Sequence, residues 1–187
     1  MAGGTTDRDA DTTRRLVLAA AARLVRRKGV AASLDAIARE AGVSKGGLAH
    51  HFASKEALLI ALAQRELEAF RESVLTRIDA TEGRAGRLTR AYVRASLRPA
   101  DDQETRARFA VIAQLMTVPA VAEIAAADHH RWQRDLAGDG VPAETRHLVI
   151  AAANGFGGPP LRTFGMPAGV RDRMRTTLIT MINAAVG

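Results

Sequence analysis

Apolar residues recur along this chain at helical spacing, and no stretch alternates apolar and polar positions as a half-buried strand does. Val17, Ala20, Ala21, Leu24 and Val25 fall at i, i+3, i+4, i+7 and i+8, which predicts one buried helix face from Asp11 or Thr12 to a stop at Gly29. Residues 1 to 10 are polar and contain glycine, so they are expected to fray. Leu34, Ile37, Ala38 and Ala41 mark a second, two-turn helix that begins behind Ser33, carries Asp35 in its first turn and ends at Gly42. Only Val43 separates it from Ser44, which caps a third short helix anchored by Leu48 and Phe52. Ser54 then opens a long helix whose inward face, Leu58, Leu59, Leu62, Leu67, Phe70 and Val74, runs to about Ala80.

Past a break at Thr81–Gly86 the same period continues. It predicts helices from Arg87 to Arg98 (Leu88, Tyr92, Ala95), from Gln103 to Met116 (Phe109, Ile112, Ala113, Met116) and from Pro119 to Leu136. Another starts at Pro142 (Leu148, Val149, Ala152, Ala153, Phe156) and stops at Gly157-Gly158-Pro159-Pro160. The last, Pro167 to Ala185, carries Val170, Met174, Leu178, Met181, Ile182 and Ala185. The expected fold is all-α, with about nine helices.

Two short helices joined through Gly42-Val43-Ser44 make a helix-turn-helix, whose second helix can enter a major groove, although an ordinary helical hairpin has the same outline. The chemistry of the second helix favours DNA. Lys45 at its first position opposes the helix dipole, and Gly46 and Gly47 each weaken a helix by up to ~1 kcal/mol relative to alanine. Bare backbone at the two glycines lets a phosphate or base edge come close. His50 and His51 point outward, where phosphate contact ranks above a solvated pair. Metal binding ranks below both, because adjacent side chains diverge by about 100° on a helix and no carboxylate stands four residues away. The N-terminus capped by Ser54, beside Lys55, is a ready phosphate site.

Charge placement sharpens this picture. Of a net charge of +7, the first 55 residues hold ten lysines and arginines against five acids, including all three lysines of the chain. A basic head on a near-neutral body fits a polyanion partner, and an arginine-rich composition bias accounts for it equally well. Cysteine is absent, which excludes disulfides and cysteine-ligated zinc or iron–sulfur sites and suits a reducing cytoplasm. With no signal pattern at the N-terminus and no run of ~18 apolar residues, neither export nor a membrane is expected. Enzyme motifs are missing too: there is no Gly-x-Ser-x-Gly and no metal-spaced cluster, and Gly155-Phe156-Gly157-Gly158 ends a helix instead of following a strand, so no cofactor is expected.

The stretch Ser33-Leu34-Asp35-Ala36-Ile37-Ala38-Arg39-Glu40-Ala41-Gly42-Val43-Ser44-Lys45-Gly46-Gly47-Leu48-Ala49-His50-His51-Phe52-Ala53-Ser54-Lys55-Glu56-Ala57-Leu58-Leu59 resembles the DNA-binding region of the TetR (tetracycline-repressor-like) family of bacterial transcriptional regulators, over about residues 12 to 62. The resemblance implies a helix-turn-helix domain at 11–55 and a helical ligand-binding and dimerisation domain at 56–187. In such regulators a small molecule in the body usually releases a double-stranded operator. By position, Lys45 and Gly47 fall where the family reads or approaches bases, His51 and Lys55 where it holds phosphates, and Ser33 at the capped start of the second helix. Ser44, Gly46 and His50 complete the expected DNA-facing set. Ala49 departs from the pattern, standing where the family often has a tyrosine that contacts the DNA backbone. Its absence shifts work to Lys45, His50 and the arginines of the first helix. The implied function is a dimeric repressor released by an inducer, with an activator or a non-specific DNA-binding protein as alternatives.

The resemblance also favours the last two helices as a homodimer interface, where Ala151, Ala152, Ala153 and Gly155 allow close approach. They could equally close the monomer's core. For a ligand, Val121, Ile124, Ala125, Asp128 and Trp132 share one helix face, and an acid one turn before the only tryptophan can recognise a cationic or aromatic molecule. The plainer reading pairs Asp128 with an arginine and places Trp132 in the core. Tyr92, Phe109, Met116, His129, Asn154 and Phe156 are the further lining candidates.

Overall fold

The computed structural model describes residues 3–98, 103–157 and 169–187, with the side chains of 3–9, 103–106 and 156–157 outside the description. Every regular element among them is helical: α1 (Gly3–Lys28), a 3-10 turn (Gly29–Ala31), α2 (Leu34–Ala41), α3 (Lys45–His51), α4 (Lys55–Leu75), α5 (Arg87–Ser96), α6 (Gln103–Leu115), α7 (Pro119–Ala137), α8 (Ala143–Gly157) and α9 (Val170–Val186). The chain compacts into two units, residues 1–66 with 110–125, and residues 67–109 with 126–187.

In the first unit, the repeating face of α1 is wholly internal: Val17, Ala20, Ala21 and Val25 are 0% exposed and pack with Ile37, Ala38, Leu48, Phe52, Leu58, Leu62, Val111, Leu115 and Val121. The backbone is helical from Gly3, two turns before the expected start at Asp11 or Thr12. No proline interrupts 5–28, so nothing in the sequence breaks the helix before Asp11. Gly29 ends α1 with φ +67°, as the sequence predicts. Gly42, at φ +71°, turns the chain after α2: its N–H bonds Arg39 O at 3.2 Å, and the Val43 N–H bonds Ala38 O at 3.0 Å. This is a Schellman turn, and Val43 packs against the core, the hydrophobic contact that often accompanies such a turn. A single αL glycine thus sets the path from α2 to α3.

The second unit is built around Val74, Tyr92, Val93, Leu97, Trp132, Leu136, Val149, Ala153, Leu178 and Ile182. α4 ends at Leu75, five residues before the predicted Ala80. Local side chains compete for its last carbonyls: Arg77 and the Thr76 hydroxyl both donate to Ser73 O, and Asp79 accepts from the Thr81 N–H at 2.9 Å, which turns the chain away. The start of α5 is held from a distance. Asp139 accepts from the N–H groups of Leu88 (3.0 Å) and Thr89 (2.7 Å), while its own carbonyl accepts from Gly86. Arg90, 3% exposed, donates to Glu82, Gly83 O, Ala85 O and Asn183, so every nitrogen of its guanidinium has a partner. Glu82 is held below the usual carboxylate range, chiefly by its bond from Arg94 and also by Arg90, against burial.

On α6 the buried positions are Val111 and Leu115, whereas Ala113 and Met116 of the predicted face are exposed and Phe109 and Ile112 half-buried. A helix rich in alanine and aliphatics on several sides lets the core choose a face one residue away. The loop expected at Pro99–Asp102, the Pro159-Pro160 break and the expected start of the last helix at Pro167 lie outside the described residues.

Candidate nucleic-acid interface

Leu48 (2% exposed) and Phe52 (4%) pin one face of α3 to the first unit, leaving Lys45, Gly46, Ala49 and His50 exposed on the other and His51 half-exposed. The Phe52 ring carries a second support, since the Arg14 guanidinium lies 4.6 Å over it while Arg14 Nη1 donates to His51 O at 3.4 Å. The two histidine rings meet edge to face at 5.4 Å, and among the described residues no metal-holding cluster is found.

The three unfavourable choices at the start of α3 separate under this geometry. Lys45 Nζ sits 3.0 Å from Asp35 Oδ1 in an exposed pair, which offsets the dipole and tethers α3 to the first turn of α2. At Gly47 the N–H donates to Ser44 Oγ at 3.0 Å, and a Cβ there would lie 3.2 Å from that same oxygen, so the capped turn itself favours glycine. Gly46 has no such reason, for a Cβ built on it meets nothing within 4 Å. The fold has room for alanine at 46, so no contact inside the chain explains the glycine.

Ser33 and Ser44 spend their hydroxyls on their own helices, Ser33 Oγ accepting from Ala36 at 3.2 Å. Ser54 does the same for Ala57 at 3.0 Å. Helix geometry leaves the N–H groups of Lys55 and Glu56 directed out of the α4 terminus, beside the lysine side chain. Two of the arginines expected to share DNA contact are committed elsewhere: Arg23 and Arg27 clamp Glu40, each at 2.9 Å, and hold its carboxyl below the usual range, Arg23 more than Arg27. They tie α1 to α2.

The second unit holds a separate cluster. Tyr92, Trp132 and Phe70 meet edge to face, with ring centres 5.0 to 5.9 Å apart, and Tyr92 donates to Asn154 Oδ1 at 2.8 Å. Burial pushes the Tyr92 phenol up to about 12, so it stays a neutral donor. Arg71, which the sequence reading did not single out, lies 4.0 Å over the Trp132 ring and bonds Asp135 at 2.6 Å. Asp128 is half-buried, its carboxyl pushed up by burial against the opposing pull of Arg71 and Arg131. The remaining lining candidates are not gathered here. His129 is exposed with a ring nitrogen 3.3 Å from Gln133, Phe109 is half-buried, and Met116 is 44% exposed and belongs to the first unit. The Phe156 side chain lies outside the described residues.

Residues 17–62 match the family model for bacterial regulatory proteins of the tetR family, and residues 86–183 match that for the tetracyclin repressor-like C-terminal domain. The chain belongs to the TetR family. Its fold is shared with a TetR-family member from Streptomyces coelicolor A3 (23% identity, covering 90% of this chain and 97% of that one, TM-score 0.70). A transcriptional regulator from Rhodococcus sp. Rha1 is similar (22%, 92% and 95%, 0.68), as is the multidrug binding protein EbrR complexed with malachite green (22%, 90% and 96%, 0.71). No curated protein matches the chain.

As a TetR-family protein this is a DNA-binding transcription regulator and not an enzyme. Among its described residues no single helix is long and apolar enough to cross a membrane. Arg14 is the contact at the TetR head that sequence spacing missed. It sits one turn before Val17 and supports Phe52 from 38 residues away, which no local pattern announces.

Proposed function

We propose that the protein is a dimeric repressor which holds a palindromic operator through the outward face of α3 and the N-terminus of α4, and lets go when a small molecule occupies the second unit. Functionally the chain divides near residue 55, with 11–55 for DNA and 56–187 for ligand and dimer. Gly46 carries the DNA reading: it is the one costly residue of α3 that no contact inside the chain explains. Lys45, Ala49 and His50 are exposed along the same short helix, while its His51 and, at the start of α4, Lys55 are half-exposed. Pairing supplies the affinity that a single head without a tyrosine at 49 lacks. Leu148, 57% exposed, shares an outer face of α8 with the exposed Ala151 and Gly155 at i, i+3 and i+7, and this strip of small and apolar positions suits a second copy. The resemblance to EbrR, whose structures hold malachite green and ethidium, supports a small-molecule site in this fold.

Gly46→Ala tests the reading. The substitution should raise the stability of the head by up to ~1 kcal/mol, the gain in helix propensity. It should also weaken DNA binding by roughly tenfold, on the order of one lost contact. Urea unfolding and fluorescence-anisotropy titrations with operator DNA measure both. A variant that is more stable and binds as tightly as the parent shows that nothing approaches α3 at Gly46. Non-specific DNA binding is the competing reading, and it lacks the ~1,000-fold preference for one sequence that a specific regulator keeps near physiological salt.

A further inference from the structure

The two buried arginines of the second unit are treated very differently by their surroundings. All three nitrogens of Arg90 are bonded, as described above. Arg71 is equally buried, 6% exposed, yet only its Nη1 has an acceptor, Asp135 Oδ2. Its Nε and Nη2 are shut off from solvent and have no hydrogen-bond partner, and the guanidinium stacks on the Trp132 ring. A guanidinium is a planar fork, and the N–H groups on its Nε and Nη2 run parallel, spaced for the two oxygens of one carboxylate. Buried donors without acceptors are costly in the free protein, and a group that satisfies them gains what the fold leaves unmade.

We propose that this edge of Arg71 anchors the carboxylate of a small organic acid, with Trp132 presenting its face to the guanidinium and Tyr92 and Phe70 packed edge to face on the Trp132 ring. The proposal rests on the second unit being the ligand-binding unit, and it replaces the cationic ligand that Asp128 and Trp132 suggest in the sequence. The aromatic face that a cation needs is already covered by Arg71. Asp128 is the internal rival. Its carboxyl feels Arg71 as its strongest favourable charge and stands half-buried next to the cluster, so an incoming carboxylate takes the place of an acid that burial already disfavours. The groups facing it are Arg71, Arg131, Glu68, Tyr92 and the Trp132 indole, which hydrogen-bonds it, and Glu68 is engaged with Arg131 at 3.5 Å.

Three isosteric probes decide the charge: benzoate, benzamide and benzamidinium, with octanoate as a second carboxylate. Trp132 is the only tryptophan, so its emission in the full-length protein reports the site directly, with calorimetry beside it. Benzoate or octanoate should perturb the emission saturably, benzamide should need at least about ten times the concentration, and benzamidinium should not bind. Arg71→Lys keeps the charge and loses the fork, and should weaken the carboxylate by about tenfold or more. Asp128→Asn leaves Arg71 untouched and should tighten it several-fold. Binding of benzamidinium that Asp128→Asn abolishes, or equal affinity for all three isosteres, overturns the carboxylate site while the ligand-binding reading stands. If none of the four probes binds by either method, the carboxylate site is overturned. If, in addition, no compound from a broader inducer screen releases DNA, the ligand-binding reading falls with it.

Discussion

Phe52→Ala is expected to abolish specific DNA binding and to destabilise the first unit by about 3–5 kcal/mol, the range for removing a buried aromatic ring. The ring is 4% exposed and closes α3, its N–H bonding Leu48 O at 3.0 Å. Only Leu48 and Phe52 of the α3 region reach the core, so half of what docks the helix goes with one side chain. The cavity also removes the platform beneath Arg14, a cation–π contact worth about 0.5–1 kcal/mol at an accessible site. Phe52→Leu keeps most of the volume and should cost less than about 1.5 kcal/mol. Urea unfolding gives the energies and anisotropy the affinity. The Trp132 emission of the folded protein should stay unchanged, because the loss is confined to the first unit. An alanine variant within about 1 kcal/mol of the parent would show that the ring does not pin α3.

Gly86→Ala is expected to be the most damaging single-methyl substitution in the second unit. Gly86 holds φ +76°, where a side chain costs roughly 1–2 kcal/mol. A Cβ would also sit 2.7 Å from Ile182 Cγ2 and 2.9 Å from Arg90 Nη1, both belonging to buried residues. Overpacking of that kind adds about 1–3 kcal/mol, for a total of about 2–5 kcal/mol. Gly42→Ala is the control: φ +71° and nothing within 4 Å, so it should show the backbone cost alone. Equal losses at the two positions would mean that α9 gives way freely around Ile182 and that the junction of α5, Asp139 and Asn183 is not rigid.

The head was legible in the sequence because its determinants are local. Ser33 and Ser44 cap the helices that follow them by bonds to residues three positions on, and Gly42 turns the chain by bonds to residues three and five positions back. A reader of the sequence sees all of these within one short window. What the sequence did not announce depends on chain separation: Asp139 caps α5 from 50 residues away, Arg90 reaches Asn183 across 93, and Arg71 finds Asp135 across 64. Asp128 and Trp132 were correctly placed on one helix face, but the cation that covers the indole comes from α4, so their chemistry could not be read from α7 alone. The α3 signal became narrower as well. Of Lys45, Gly46 and Gly47, the last is accounted for by Ser44, Lys45 pairs with Asp35 yet stays exposed, and no contact inside the chain explains Gly46.

Selection from a pool of randomised duplex DNA at about 150 mM salt, run in parallel for the parent protein and Lys45→Ala, tests the central claim most directly. The account predicts an enriched inverted repeat with half-sites about one turn, roughly 34 Å, apart, and a changed base preference at the two symmetry-related positions in the variant. Enrichment of no sequence by the parent, or the same sequence with the same preferences from both proteins, would contradict it.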